Sequence, residues 1–223
     1  MPKAARRPFE ILSGHFLGLC FQWKVFKQLY ASGQKRIDLM NETAPGFLGH
    51  LQPIWLDGVI LGVTRLLDPA ETTLKGRKVP NLTLRQLIHR LDGEDQDFLD
   101  RLGHHLNRLG RLGKPFRDHR NKRIAHADYW HGTRVRRLRL PGLPQQRIEE
   151  MLRSLEQFMD AIRDRYGMGA MMYTDVEAAA GADGNALLWS LVKAAAWDAE
   201  HPDPLENAMR ISKSRYADAW GDG

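Results

Sequence analysis

"GFLGHLQPIWLDGVILGVTRLLD", residues 46–68, decides the fold class. Phe47, Leu51, Ile54, Trp55, Val59, Leu61, Val63, Leu66 and Leu67 fall nearly all round a helical projection, not on alternate positions, as they would in a helix surrounded by others. The pattern predicts a central buried helix, with Pro53 either kinking it or marking its true start. Upstream, Ile11, Leu12, Phe16, Leu19, Phe21, Val25, Phe26 and Leu29 recur by threes and fours between Phe9 and Ser32, and Gly33 stands where a helix commonly stops. Downstream, "DPAETTLKGRKVPN" (68–81) is Pro, Gly and charge without a period and reads as an exposed loop.

The rest of the chain repeats the helical theme. Asn81 or Thr83 can cap a short helix running to Leu91, and "GEDQD" (93–97) supplies carboxylates at the start of the next. Phe98, Leu99, Leu102, Leu106, Leu109 and Leu112 continue it until Gly113-Lys114-Pro115 interrupts. Ile148, Met151, Leu152, Leu155, Phe158, Met159 and Ile162 mark a further core helix to Tyr166, and Asp183 can cap one over 184–200. There is no internal repeat, and the nearest thing to a strand is "VRRLRL" (135–140). The expected architecture is all-α with long antiparallel core helices, one domain over 1–200 and a C-terminal tail with a short helix over 201–223, set off by "HPDP" (201–204). Trp23, Trp55, Trp189 and Trp197 lie on apolar helical faces and are expected in the core.

Composition narrows the function classes. A chain of 223 residues that is 43% hydrophobic and 27% charged is an ordinary globular protein. Its single cysteine, Cys20, rules out an internal disulfide framework or a cysteine-rich zinc site and suits a reducing compartment, so a cytoplasmic location is expected. The opening "MPKAARRPFEILSGHFLGLCFQW" is basic and then apolar, but Glu10 and His15 interrupt it and no small-residue cleavage site follows, which argues against a signal peptide. No apolar run approaches the length of roughly eighteen residues that a membrane span requires, so no membrane partner is expected.

The net charge of +6 is unevenly spread. Residues 101–140 hold twelve Arg or Lys against Asp118 and Asp128, while the remainder is mildly acidic. A basic stripe on such a background points to a polyanion, because released counterions drive the binding; a solvated charged face is the bland alternative. Within the stripe lies "FRDHRNKRIAHADYW" (116–130). At α-helical spacing Phe116, Arg120, Ile124 and Ala127 share one face, and His119, Arg123, His126 and Trp130 the next. A histidine titrating near neutrality beside an arginine suits phosphodiester chemistry, the imidazole moving protons and the guanidinium meeting the developing charge. No carboxylate cluster accompanies them to hold magnesium, so the nucleophile would be internal, as the ribose 2′-hydroxyl of RNA is. Arg117, His119, Lys122, Arg123, Arg134, Arg136 and Arg137 are candidate RNA contacts. Tyr129 and Trp130 could stack on unpaired bases, with core or interface packing the competing use.

Arg-to-His spacing alone carries little. "RNKRIAHAD" (120–128) carries more, with Asn121 directly after Arg120, a small residue before His126 and an acid two beyond it. In this the chain resembles the HEPN superfamily, and within it the abortive-infection, AbiU-type proteins, because "TRLLDP" (64–69), "NLTLRQL" (81–87) and "RDHRNKRIAHAD" (117–128) occur in that order. The resemblance covers about residues 10–200 and implies an all-α HEPN-like bundle, a homodimer with its motifs facing each other, and a metal-independent endoribonuclease that leaves a 2′,3′-cyclic phosphate and needs no cofactor. It also implies roles: His126 as general acid and base, Arg120 stabilising the transition state, Asn121 orienting the phosphate or Arg120. The function expected is a toxin or phage-defence ribonuclease acting on RNA, held in check by its own conformational state or by an antitoxin or other defence-system partner. A non-catalytic helical module that binds RNA or a partner is the alternative, since many HEPN domains are inactive.

Other conspicuous residues have plainer readings. Asp68 is expected to close a helix end or loop and Arg65 to pair with a carboxylate. His104 and His105 face different directions, and His119 and His126 have no third ligand in register, so no metal site is expected.

Overall fold

The computed structural model describes residues 1–124, 142–177, 181–203, 205 and 209–210. Eight α-helices among them are α1 (Lys3–Tyr30), α2 (Gln34–Thr43), α3 (Pro45–Leu67), α4 (Leu84–His89), α5 (Gln96–Leu112), α6 (Lys114–His119), α7 (Gln145–Arg165) and α8 (Gly184–Glu200). A two-stranded hairpin, β1 (Glu71–Leu74) and β2 (Arg77–Pro80), lies between α3 and α4. The all-α class holds, and "VRRLRL" lies outside the described residues.

The chain divides into two compact units, one of residues 1–26 and 52–177, the other of 27–51 and 178–223. In the first, α1 contributes Phe9, Leu12 and Phe16 to the core, α3 contributes Val59, Ile60 and Val63, and α5 and α7 pack with Phe98, Leu102, Met151, Leu155 and Phe158 buried. Each such side chain contributes about 1.5–3 kcal/mol by leaving water. Close approach of α1 and α3 depends on two glycines one turn apart. A Cβ on Gly62 would stand 2.9 Å from Leu19 Cδ1, and one on Gly58 would collide with the Gln22 amide. That amide is part of a reciprocal bond, since Gln22 donates to the Trp55 carbonyl and Trp55 Nε1 donates to the Gln22 carbonyl. Tyr173, fully buried, shares a 2.6 Å hydrogen bond with Ser13.

In the second unit α2 packs on α8, and Gln28 fixes the start of α8 by donating to Asp183 and accepting from the Gly184 amide. Asp183 in turn accepts from the Ala186 amide. Thr83 and Asp95 cap α4 and α5 in the same manner, as their positions before apolar runs foretold.

Three expectations need correction, and one helix was not foreseen at all. The loop of 68–81 is exposed but paired, with Leu74 opposite Arg77 across a two-residue turn at Lys75 and Gly76, both at positive φ as a type I′ turn requires. The helix over Gln34–Thr43 escapes a hydrophobic-period reading because only Met40 is buried on it. α3 begins at Pro45 and carries Pro53 inside it, and Phe47 and Ile54 leave it exposed along part of its length instead of buried all round. Trp189 and Trp197 are 62% and 45% exposed, because α8 buries only Gly184 and Leu188.

Candidate active site

The segment that carries Arg120 is seated by two neighbours of opposite kinds. Phe116, fully buried, anchors α6 in the core. Gly113, at the joint between α5 and α6, lets the backbone press on the end of α3: a Cβ there would lie 2.8 Å from Leu67 Cδ1. Asp68 follows directly on Leu67, so the close approach that Gly113 permits brings α6 beside Asp68. Beyond His119 the backbone widens into a π-helical turn, Arg120–Ile124. Such turns are rare and recur at functional positions. The α-helical stepping that puts Phe116, Arg120 and Ile124 on one face therefore stops applying at Arg120.

Arg120 is held on two edges. Its Nη1 donates to Asp68 Oδ1 at 2.5 Å, and its Nε donates to Asn121 Oδ1 at 3.1 Å. At least three of its five N–H groups remain for another acceptor. The side chain borders a cleft of about 470 Å³ whose lining includes His15 of α1, Arg65 and Asp68 at the end of α3, Thr72 of β1 and Asn81. Asn81 stiffens the rim, its Nδ2 donating to the Pro69 carbonyl and to Thr72 Oγ1 while its amide donates to Ala70. A cleft of this size accommodates one nucleotide-sized ligand.

Asp68 is thus a partner of Arg120, not merely a helix stop, and Arg65 does not pair with a carboxylate among the described residues. Arg65 and His15 are exposed and make no hydrogen bond or ion pair with a described residue. No motif singled out His15, whereas Arg65 stands with Asp68 in "TRLLDP" but was expected only to pair with a carboxylate.

The other candidates scatter. Arg123 pairs with Asp57 of α3, and Lys122 is exposed. Arg117 is half-buried and turns to a different groove, where its Nη2 donates to the Gly110 carbonyl at 2.8 Å. His119 is half-buried. His126, Tyr129, Trp130, Arg134, Arg136 and Arg137 lie outside the described residues. Among the described residues, no group of three or more His, Cys, Asp or Glu is arranged to hold a metal ion. No helix there is long and apolar enough to cross a membrane.

Comparison with known proteins bears on this arrangement. A HEPN family model described as AbiU2 matches residues 3–187, a span that includes Asp68, Arg120, Asn121 and His126. No curated protein and no solved structure matches the chain.

Proposed function

The chain belongs to the AbiU2 family of HEPN proteins, and from that premise we propose that it is a metal-independent endoribonuclease of abortive infection, working as a homodimer in the cytoplasm. The observation that carries this reading is the placement of Arg120, fixed by Asp68 and Asn121 at the edge of an open cleft with donors to spare. A guanidinium fixed beforehand meets the charge that develops on a phosphate without reorganising at the moment of reaction.

In this mechanism the 2′-hydroxyl of a ribonucleotide attacks the adjacent phosphorus, and the bond to the 5′-oxygen of the next nucleotide breaks. His126 takes the proton from the attacking hydroxyl and returns one to the leaving oxygen. Arg120 binds the non-bridging oxygens, and Asn121 keeps the guanidinium turned towards them. The products are a 2′,3′-cyclic phosphate and a 5′-hydroxyl.

Incubation of the purified protein with RNA in excess EDTA tests it. Cleavage with cyclic phosphate ends, lost in His126→Ala, is the expected result. Cleavage that requires added magnesium would remove the mechanism.

One observation favours a second reading. The Asp68 carboxylate already neutralises Arg120, as it would in a binding module whose arginine is structural. RNA binding that is undiminished in both Arg120→Ala and His126→Ala, without cleavage by the wild type, would select that module.

A further inference from the structure

α6 carries cations towards two sites. Arg120, just beyond its end, lines the cleft described above. Lys114 and Arg117 line a separate groove of about 520 Å³ together with Arg85 of α4 and Asn107, Gly110 and Arg111 of α5. Four cations from three helices thus converge on one groove. Among the described residues only Lys114 has a carboxylate partner there, Asp118 at 2.8 Å. Arg117 is fixed against the groove by the Gly110 carbonyl, which orients its charge without cancelling it. Arg85 and Arg111 are exposed and make no hydrogen bond or ion pair with a described residue. The C-terminal end of α5 offsets only about half a charge, so a surplus of more than two positive charges stays in the groove.

We propose that this groove is a second RNA contact, holding backbone phosphates of the same strand whose reacting phosphate lies at Arg120. The proposal rests on the reading that the cleft acts on RNA. Uncompensated like charges gathered from several helices are stabilised by an anion, and guanidinium groups suit phosphate oxygens through their planar fork. A strand is favoured over a small phosphate compound by the placement of α6. Lys114 and Arg117 line one groove and Arg120 the other cleft, only a few residues along the chain from one another, so one extended polyanion running along this segment meets both sites. Arg85 lies outside the basic stretch of residues 101–140 and is recruited to it by the packing of α4 on α5.

The experiment uses the full chain and RNA with a 2′-O-methyl backbone, which lacks the attacking hydroxyl. Affinity and its salt dependence are measured by fluorescence anisotropy for a long oligonucleotide and for a trinucleotide. The variants are the double substitution Arg85→Ala with Arg111→Ala and, as a charge-matched control, Lys35→Ala with Arg153→Ala, exposed sites on α2 and α7 that line neither cavity. The double variant should bind the long RNA roughly tenfold more weakly, with the slope of log affinity against log salt reduced by about 1.4, because each lost contact on a single strand removes about 0.7. Its binding of the trinucleotide, and the control's binding of both, should match wild type. Equal loss on both lengths, an unchanged affinity for the long RNA, or no RNA binding by the wild type would each overturn the proposal. A groove that bound an acidic protein in preference to RNA would overturn it too.

Because the probe cannot be cleaved, this outcome does not depend on whether the protein is a nuclease. In cleavage assays a correct proposal raises KM for long RNA and leaves kcat alone. Absence of cleavage by wild-type protein that binds the long RNA, with binding weakened in the double variant as expected, would instead count against the nuclease reading only.

Discussion

Arg120 and Asp68, 52 residues apart in sequence, meet in a 2.5 Å contact in which the two side chains are 24% and 29% exposed. An ion pair with this access to water contributes at most about 1 kcal/mol to stability. Its larger effect is on direction, since the carboxylate fixes which N–H groups of Arg120 face the cleft. Asp68→Asn should therefore change the melting temperature by no more than roughly 2–4 °C and lower the RNA cleavage rate roughly ten- to a hundredfold, as small misplacements of a reacting group do. A rate equal to wild type in a folded variant would show that Arg120 is placed without the Asp68 charge, by Asn121 and the backbone.

The glycine at the joint of α5 and α6 makes a second test. At φ −76 Gly113 has an ordinary backbone, so only space matters. Gly113→Ala would press on Leu67 Cδ1 and should cost about 1–3 kcal/mol in urea denaturation, as overpacking does. Gly103, in the middle of α5, has nothing within 4 Å of an added Cβ, and Gly103→Ala should stabilise by about 0.5–1 kcal/mol. Reversal of these signs would contradict the packing described for α3 and α6.

A third expectation concerns acid. Burial, then the charges of Arg108 and His104, holds the His105 imidazole below its ordinary pKa. The unfolded chain therefore takes up a proton near pH 6.5 that the folded chain resists, so stability present above that pH is lost as pH falls towards the folded value. His105→Gln should shrink the drop in melting temperature between about pH 7.5 and about pH 5.5. An identical drop in the variant would assign the acid sensitivity elsewhere.

Whether the working site spans two subunits can be read from mixtures. Arg120→Ala and His126→Ala proteins, inactive alone, should recover activity after subunit exchange if one pocket takes Arg120 from one chain and His126 from the other. Random exchange makes half the dimers mixed, each with one intact pocket, so recovery should approach about a quarter of wild type. No recovery in a protein shown to be dimeric would confine the site to one chain or require both pockets together.

Much of this was written in local residue patterns. Thr83, Asp95 and Asp183 announce helix starts through side-chain acceptors ahead of apolar runs. The hairpin is harder to read because both strands are exposed throughout, which leaves no alternation of apolar and polar residues to find; its only mark is the Lys75-Gly76 turn. Trp189 and Trp197 show the opposite failure, an apolar helix that the described residues leave exposed. The contact of Arg120 with Asp68 depends on where Gly113 lets two helices meet, and the grouping of Arg85 with Arg111 on how α4 lies against α5. Neither is expressed in spacing along the chain.

The burial of Cys20 has a practical consequence for following this molecule in solution. Its thiol is enclosed in the core, and burial, with the nearby charge of Glu156, pushes it well above the ordinary thiol range. Native protein at neutral pH should therefore stay unmodified by maleimide or iodoacetamide, although the sequence holds a cysteine. A single exposed thiol can then be installed without first removing the native one. Thr73→Cys on β1 suits this better than the turn itself, where Lys75 sits at φ +48. A dye attached there would stand on the arm rooted at the cleft rim by Asn81 and would report by its emission when a strand enters.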